Sequence, residues 1–213
     1  MTFPVEMFIM FGVAVLCTSI GLYRYRYLTS VAYGLSMAAC SAVLLLLFHK
    51  TLAWPLTAAC ITLMVFGVYL AAHTATGKGN PSAAHADDMG VRLMLWFGCA
   101  ALYALMMAPL CYRMIDGSAG AAVAAAGAGH ALMAGVGPTV IVGAGLMALG
   151  VVMEIAEDAS KGFRKRMYPN PFCEIAVWTG VFILGITSFK TPGQWIIAVI
   201  GFVGILICRR RLA

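Results

Sequence analysis

Acidic and basic side chains gather between residues 154 and 178 of a chain that is otherwise almost uniformly apolar. The run reads EIAEDASKGFRKRMYPNPFCEIAVW. Glu154, Glu157, Asp158, Lys161, Arg164, Lys165 and Arg166 crowd together, and Asn170 and Glu174 follow at the mouth of the next apolar segment. Lysine and arginine hold phosphate groups, arginine through paired hydrogen bonds. Carboxylates such as Glu154 or Asp158 accept hydrogen bonds from ribose hydroxyls. The combination suits a polyanion site. The plainer reading is a solvated helical extension whose basic end orients the chain in a membrane. In a helix continued from 146–153, Glu154, Asp158 and Lys161 stand at i, i+4 and i+7 on one face, and Glu157 with Lys161 makes a favourable pair.

Asn170 precedes Pro171, a good N-cap followed by a residue suited to the first helical position. Glu174 lies about one turn further on, beside Cys173, Ile175 and Ala176. A carboxylate at membrane depth is costly and faces a polar cavity or a partner. Its spacing puts it on the same side as Asn170, so the two are expected to face one pocket.

The elements that position these groups are membrane spans. The chain is 62% hydrophobic and 10% charged, where a soluble domain has about 25% charged residues. Apolar runs near the length needed to cross the hydrocarbon core recur along it, and the ten-residue alternation of a membrane barrel does not. The expected fold is all-α: a polytopic bundle of transmembrane helices forming one integral-membrane domain over 1–213. The N-terminus has no basic region and no cleavage site, and is expected to be a retained span. Spans are expected at about 4–23, 29–48, 54–73, 91–112, 136–153, 172–189 and 193–208. Residues 1–112 then form an N-terminal four-span part, 113–135 a Gly/Ala-rich linker or re-entrant segment, and 136–213 the C-terminal part.

Basic residues set the orientation. With one crossing between 119 and 153, Arg24, Arg26, Lys78, Arg92, the 161–166 cluster and Arg209, Arg210 and Arg211 share one side. Lys50, Arg113 and Lys190 are left on the other. This gives seven spans with the N-terminus outside and the C-terminus cytoplasmic. The net charge of +6 then reflects orientation and no nucleic acid is expected as a partner. The membrane would be the plasma membrane in a prokaryote or the endoplasmic reticulum in a eukaryote.

Other features read as structure. Gly127, Ala131 and Gly135 form a small-xxx-small pattern that permits close helix packing, and His130 beside them reads as a packing residue. The seven cysteines lie in or at the edge of apolar segments without C-x-x-C spacing, as small buried hydrophobes, with no disulfide framework and no metal site expected. With no G-x-G-x-x-G motif and no strand–helix alternation, a Rossmann domain is excluded.

The pattern Glu154-x-x-x-Asp158-x-x-Lys161-x-Phe163-Arg164, then Pro169-Asn170-x-Phe172-x-Glu174 and Trp178, resembles the C-terminal signature of the steroid 5-alpha-reductase family. The resemblance covers about 140–205 firmly and is weak before residue 90. It implies an NADPH-dependent reductase of the membrane that acts on the carbon–carbon double bond of an enone lipid, steroid-like or isoprenoid, drawn from among membrane lipids. By it, Asp158, Arg164, Asn170 and Glu174 contact NADPH, with Glu154, Lys161, Lys78 and Asn80 completing the cofactor-binding set. Lys78 and Asn80 belong to Gly77-Lys78-Gly79-Asn80-Pro81, which loosely resembles a cofactor-contacting loop of the same enzymes. Glu174 and Tyr69 are the catalytic candidates, an acid near the ketone stabilising the developing enolate. The family grips its ketone with a Glu on span two and a Tyr on span three; span two here has no acid, and Tyr69 or Tyr33 stands in for part of the pair. Met167-Tyr168 replaces the usual Arg-His, Cys173 replaces a Gly, and the closing segment usual after the last span is replaced by Arg209-Arg210-Arg211-Leu212-Ala213, which implies an open or incomplete site. Two alternatives remain: an S-adenosylmethionine-dependent methyltransferase of the isoprenylcysteine carboxyl methyltransferase type, and a degenerate, non-enzymatic relative.

Overall fold

The computed structural model describes residues 4–23, 28, 31–50, 53–76, 89–125, 137–161 and 170–210. Among them the regular structure is entirely helical. The helices are α1 (Val5–Thr18), α2 (Ile20–Tyr23), α3 (Val31–Phe48), α4 (Trp54–Thr76), α5 (Met89–Met106), α6 (Ala108–Ala125), α7 (Pro138–Lys161), α8 (Pro171–Gly185) and α9 (Pro192–Arg210), with a 3-10 turn at Ile186–Ser188 after α8. Five segments are long and apolar enough to cross a membrane: Val5–Leu22, Val31–Phe48, Trp54–Ala75, Met89–Met106 and Pro138–Ser160. Phe172–Ser188 and Pro192–Ile207 are shorter apolar helices. Large side chains such as Leu16, Met94 and Phe172 stand on the outer surface, which suits helices surrounded by acyl chains.

Local chemistry sets the boundaries. Thr18 and Ser19 turn their hydroxyls back on the carbonyls of Ala14, Val15 and Leu16, and α1 gives way to α2 there. Pro138 opens α7 at the position where a missing N–H costs nothing. The expected single span at 91–112 is instead divided between α5 and α6. Pro109 cannot donate to the carbonyl of Leu105, and its ring crowds that turn. The helix breaks at Met107, and the Leu105 carbonyl packs so close to Gly201 of α9 that a Cβ there would sit 2.5 Å from its oxygen. Much of the expected linker is helical as well, since α6 runs to Ala125. Gly127, His130, Ala131 and Gly135 lie outside the described residues.

Two helix pairs form the frame of the site. In α3–α4, a Cβ on Gly34 would lie 2.5 Å from the carbonyl oxygen of Gly67, and the reverse distance is also 2.5 Å. In α7–α8, a Cβ on Gly143 would lie 2.6 Å from the Gly180 oxygen, and one on Gly150 2.7 Å from the Cys173 oxygen. No side chain fits at these crossings, so backbone touches backbone. The apolar core, with Phe66, Leu63, Met147, Val177 and Leu184 fully buried, fills the space between the pairs.

Candidate functional site

Four polar groups of the 154–178 run, Glu154, Asp158, Asn170 and Glu174, are buried. On α7 the buried stripe Met147, Val151, Glu154, Asp158 follows helical spacing, so the apolar face simply continues into two carboxylates. Glu154 is 0% exposed and Asp158 4%. For these two the solvated-extension reading is therefore corrected. On α8 the corresponding stripe is Asn170, Cys173, Glu174, Val177, Trp178 and Val181, all buried. The shared face expected for Glu154 and Asp158 is present; the side chain of Lys161 lies outside the described residues.

Glu154 is a clasp between helices. Both of its carboxylate oxygens accept from the Asn170 backbone N–H, at 3.0 and 2.8 Å. That N–H precedes α8 and has no helical acceptor of its own. The Asn170 side chain completes the junction: its Oδ1 accepts from Phe172 N–H at 3.1 Å, capping α8, and its Nδ2 donates to Glu157 Oε1 at 2.7 Å. Asn170 is thus the N-cap that the sequence suggests. Removing the Glu154 acceptor leaves a buried donor unmatched, which costs about 1–3 kcal/mol. Glu154→Ala is expected to lower the thermal midpoint by ~2–12 °C, at about 2–4 °C per kcal/mol for a chain of this size. Glu154→Gln, which retains an acceptor, should lose less. Thermal unfolding of the purified protein checks the order.

Glu174 meets Asn170 through the backbone, its N–H donating to the Asn170 carbonyl at 3.2 Å. Its Oε1 accepts the hydroxyl of Tyr33 from the first turn of α3. Tyr33 in turn accepts from Trp178 Nε1–H at 2.6 Å. Tyr33 and Trp178 are 2% and 3% exposed. The result is an oriented chain, Trp178 to Tyr33 to Glu174, in which each bond polarises the next. Tyr103 of α5 closes the wall: its ring lies 5.3 Å from that of Tyr33, and its hydroxyl donates to the Leu28 carbonyl at 3.0 Å.

A third group lies between α4 and α7. The Tyr69 hydroxyl donates to Asp158 Oδ2. His73, one turn along α4 and buried, places Nε2 3.5 Å from the same oxygen. The beginnings of α3 and α8 and the ends of α4 and α7 therefore meet at one end of the bundle. At the other end, Arg113 donates to Thr187 and Ser188 at 3.3 and 3.4 Å, and both Arg113 and Lys190 pair with Asp116.

Of the residues singled out in the sequence, Tyr69, Glu154, Asp158, Asn170 and Glu174 converge on this one end. Lys78, Asn80 and Arg164 lie outside the described residues. Tyr33 was expected, as an alternative to Tyr69, to stand in for part of the family's Glu–Tyr pair; here it is the partner of Glu174. His73 was missed altogether, although its i, i+4 spacing from Tyr69 on an apolar helix was a usable signal. The Glu154 oxygens accept from the Asn170 backbone N–H, and the Asn170 side chain accepts from Phe172 N–H and donates to Glu157 Oε1, so both residues are engaged at the α7–α8 junction. Among the described residues, no group of three or more His, Cys, Asp or Glu is arranged to hold a metal ion. Comparison with protein-family models, with curated proteins and with solved structures finds no match.

Proposed function

We propose that this chain is a multi-pass membrane reductase that acts on an apolar enone, steroid-like or isoprenoid, with Glu174 holding the carbonyl end. The observation that carries this reading is the Trp178–Tyr33–Glu174 chain. A buried carboxyl that a phenol orients can, in its protonated form, donate a hydrogen bond to a ketone. Reduction of the conjugated double bond moves negative charge onto the ketone oxygen, and a donor already aimed there lowers the barrier without reorganising. The pairing also answers the missing acid of span two. The carboxyl comes from α8 and the phenol from α3, the reverse of the order expected from the resemblance, yet the chemistry of the pair is the same.

NADPH, when bound, would supply the hydride. Lys78, Lys161 and Arg164 are the members of the sequence-derived set suited to its phosphates. The remaining roles belong to the protein: Glu154 and Asn170 hold α7 to α8, and Tyr33 and Trp178 orient Glu174. The reading keeps seven crossings with the N-terminus outside, as the distribution of basic residues suggests.

The test is ligand-dependent thermal stability of the detergent-purified protein. A ligand bound only by the folded state raises apparent stability by mass action, about 2.7 kcal/mol at a hundred times its Kd. NADPH is expected to raise the midpoint above NADH and S-adenosylmethionine at equal concentration. A selective shift with S-adenosylmethionine would move the chain to the methyltransferase class. No shift with any of the three would leave a non-enzymatic role, which the closure of Glu154 on Asn170 would then explain.

A further inference from the structure

Asp158 is reserved for the cofactor by the resemblance, yet α4 already occupies it. Tyr69 donates its hydroxyl to Oδ2, and His73 Nε2 stands 3.5 Å from the same atom. The two rings, one turn apart, stack with centroids 6.1 Å apart and planes inclined by 29°. His73 and Asp158 are 3% and 4% exposed, and Tyr69 is half-buried. A carboxylate taken this far from water needs a donor close at hand, and here Tyr69 of the neighbouring helix supplies it. Of the three groups, the tyrosine is the one with exposed surface.

We propose that Asp158 and His73 are positioning residues that fix the Tyr69 hydroxyl, and that Asp158 is not a cofactor contact. Tyr69 is then held as a second polar group by a carboxylate that is itself braced by the imidazole. This rests on the reductase reading for the reaction that Tyr69 serves, but the contact geometry stands independently of it. A 1 Å displacement of a reacting group can cost about a hundredfold in rate, so the brace acts on turnover more than on binding.

The experiment uses the full chain in detergent, with Asp158→Asn, His73→Gln and Tyr69→Phe. NADPH affinity, turnover of a 4-ene-3-oxo steroid and the Tyr69 phenol C–O vibration are measured; the band is identified by its loss in Tyr69→Phe. Asp158→Asn and His73→Gln are expected to keep NADPH affinity within about twofold, to lower kcat about tenfold or more, and to shift the Tyr69 band. A tenfold or greater loss of NADPH affinity in Asp158→Asn, with His73→Gln unaffected in every readout, would overturn the proposal and return Asp158 to the cofactor. If the wild-type protein binds no NADPH, the reductase reading fails while the band still decides: a band unmoved in His73→Gln sinks the brace. Should either variant fail to fold, the wild-type band is followed as NADPH is added. A cofactor that displaces Tyr69 from Asp158 would move it, and the proposal requires that it stay.

Discussion

Glu174→Gln is expected to lower turnover of an enone lipid by about 10²–10⁴-fold, the range removed with a positioned acid, while the protein keeps its fold. The reason lies in what glutamine retains. Its Oε1 can still accept from Tyr33, so the Trp178–Tyr33 bond and the packing around it persist. What is lost is a proton that can be donated to a developing enolate. Tyr33→Phe separates the two roles: the carboxyl remains, but its orienting donor is gone and the Trp178 N–H loses its acceptor. That variant should also lose turnover, and should lose stability as well, by about 1–3 kcal/mol for an unmatched buried donor. A Glu174→Gln protein with wild-type kcat would remove Glu174 from the chemistry.

A large structural effect is expected at Gly143. A Cβ there would meet the Gly180 carbonyl oxygen at 2.6 Å and the Leu184 N and Cβ at 2.8 Å. Two of these three atoms belong to the backbone of α8, so no rotamer change relieves the contact. α7 and α8 must separate, which strains Glu154 against Asn170 and moves Glu174 relative to Tyr33. Gly143→Ala is expected to cost ~3 kcal/mol, the upper part of the range for overpacking, and to lower the thermal midpoint by ~6–12 °C. Gly145→Ala, on the same helix with open space at its Cβ, is the control and should be neutral or slightly stabilising. Equal midpoints for the two alanine variants would mean that the helices are not in backbone contact.

The sequence carried the fold class and most helix ends. Apolar runs of membrane length gave α1, α3, α4 and α7, and Asn170-Pro171 marked a helix start by local chemistry alone. Pro109 lies inside the expected span at 91–112, but hydropathy runs straight across it; the break between α5 and α6 comes from its missing N–H, with the Leu105 carbonyl packed against Gly201. In the candidate site, spacing brought Glu154, Asp158, Asn170 and Glu174 to attention because they share two helices close in sequence. Their partners were hidden by distance: Tyr33 lies 141 residues from Glu174, and Tyr69 89 residues from Asp158. Nothing local distinguishes a tyrosine that bonds a carboxylate from one that packs in an apolar helix. The glycines that lock the helix pairs were equally silent, since Gly143 and Gly145 differ only in what stands opposite them. Spacing put Asn170 and Glu174 on one buried stripe, but it could not tell that their side chains bond in different directions, to α7 and to α3.

The measurement that tests the central claim most directly is NADPH consumption by the purified protein in the presence of a 4-ene-3-oxo steroid or a polyprenyl enone, with the product identified by mass. The account predicts consumption that depends on the enone, a product heavier by two hydrogens with its ketone intact, and loss of both in Glu174→Gln. Failure of both enones to draw on NADPH, or a Glu174→Gln protein that reduces them at the wild-type rate, would contradict it.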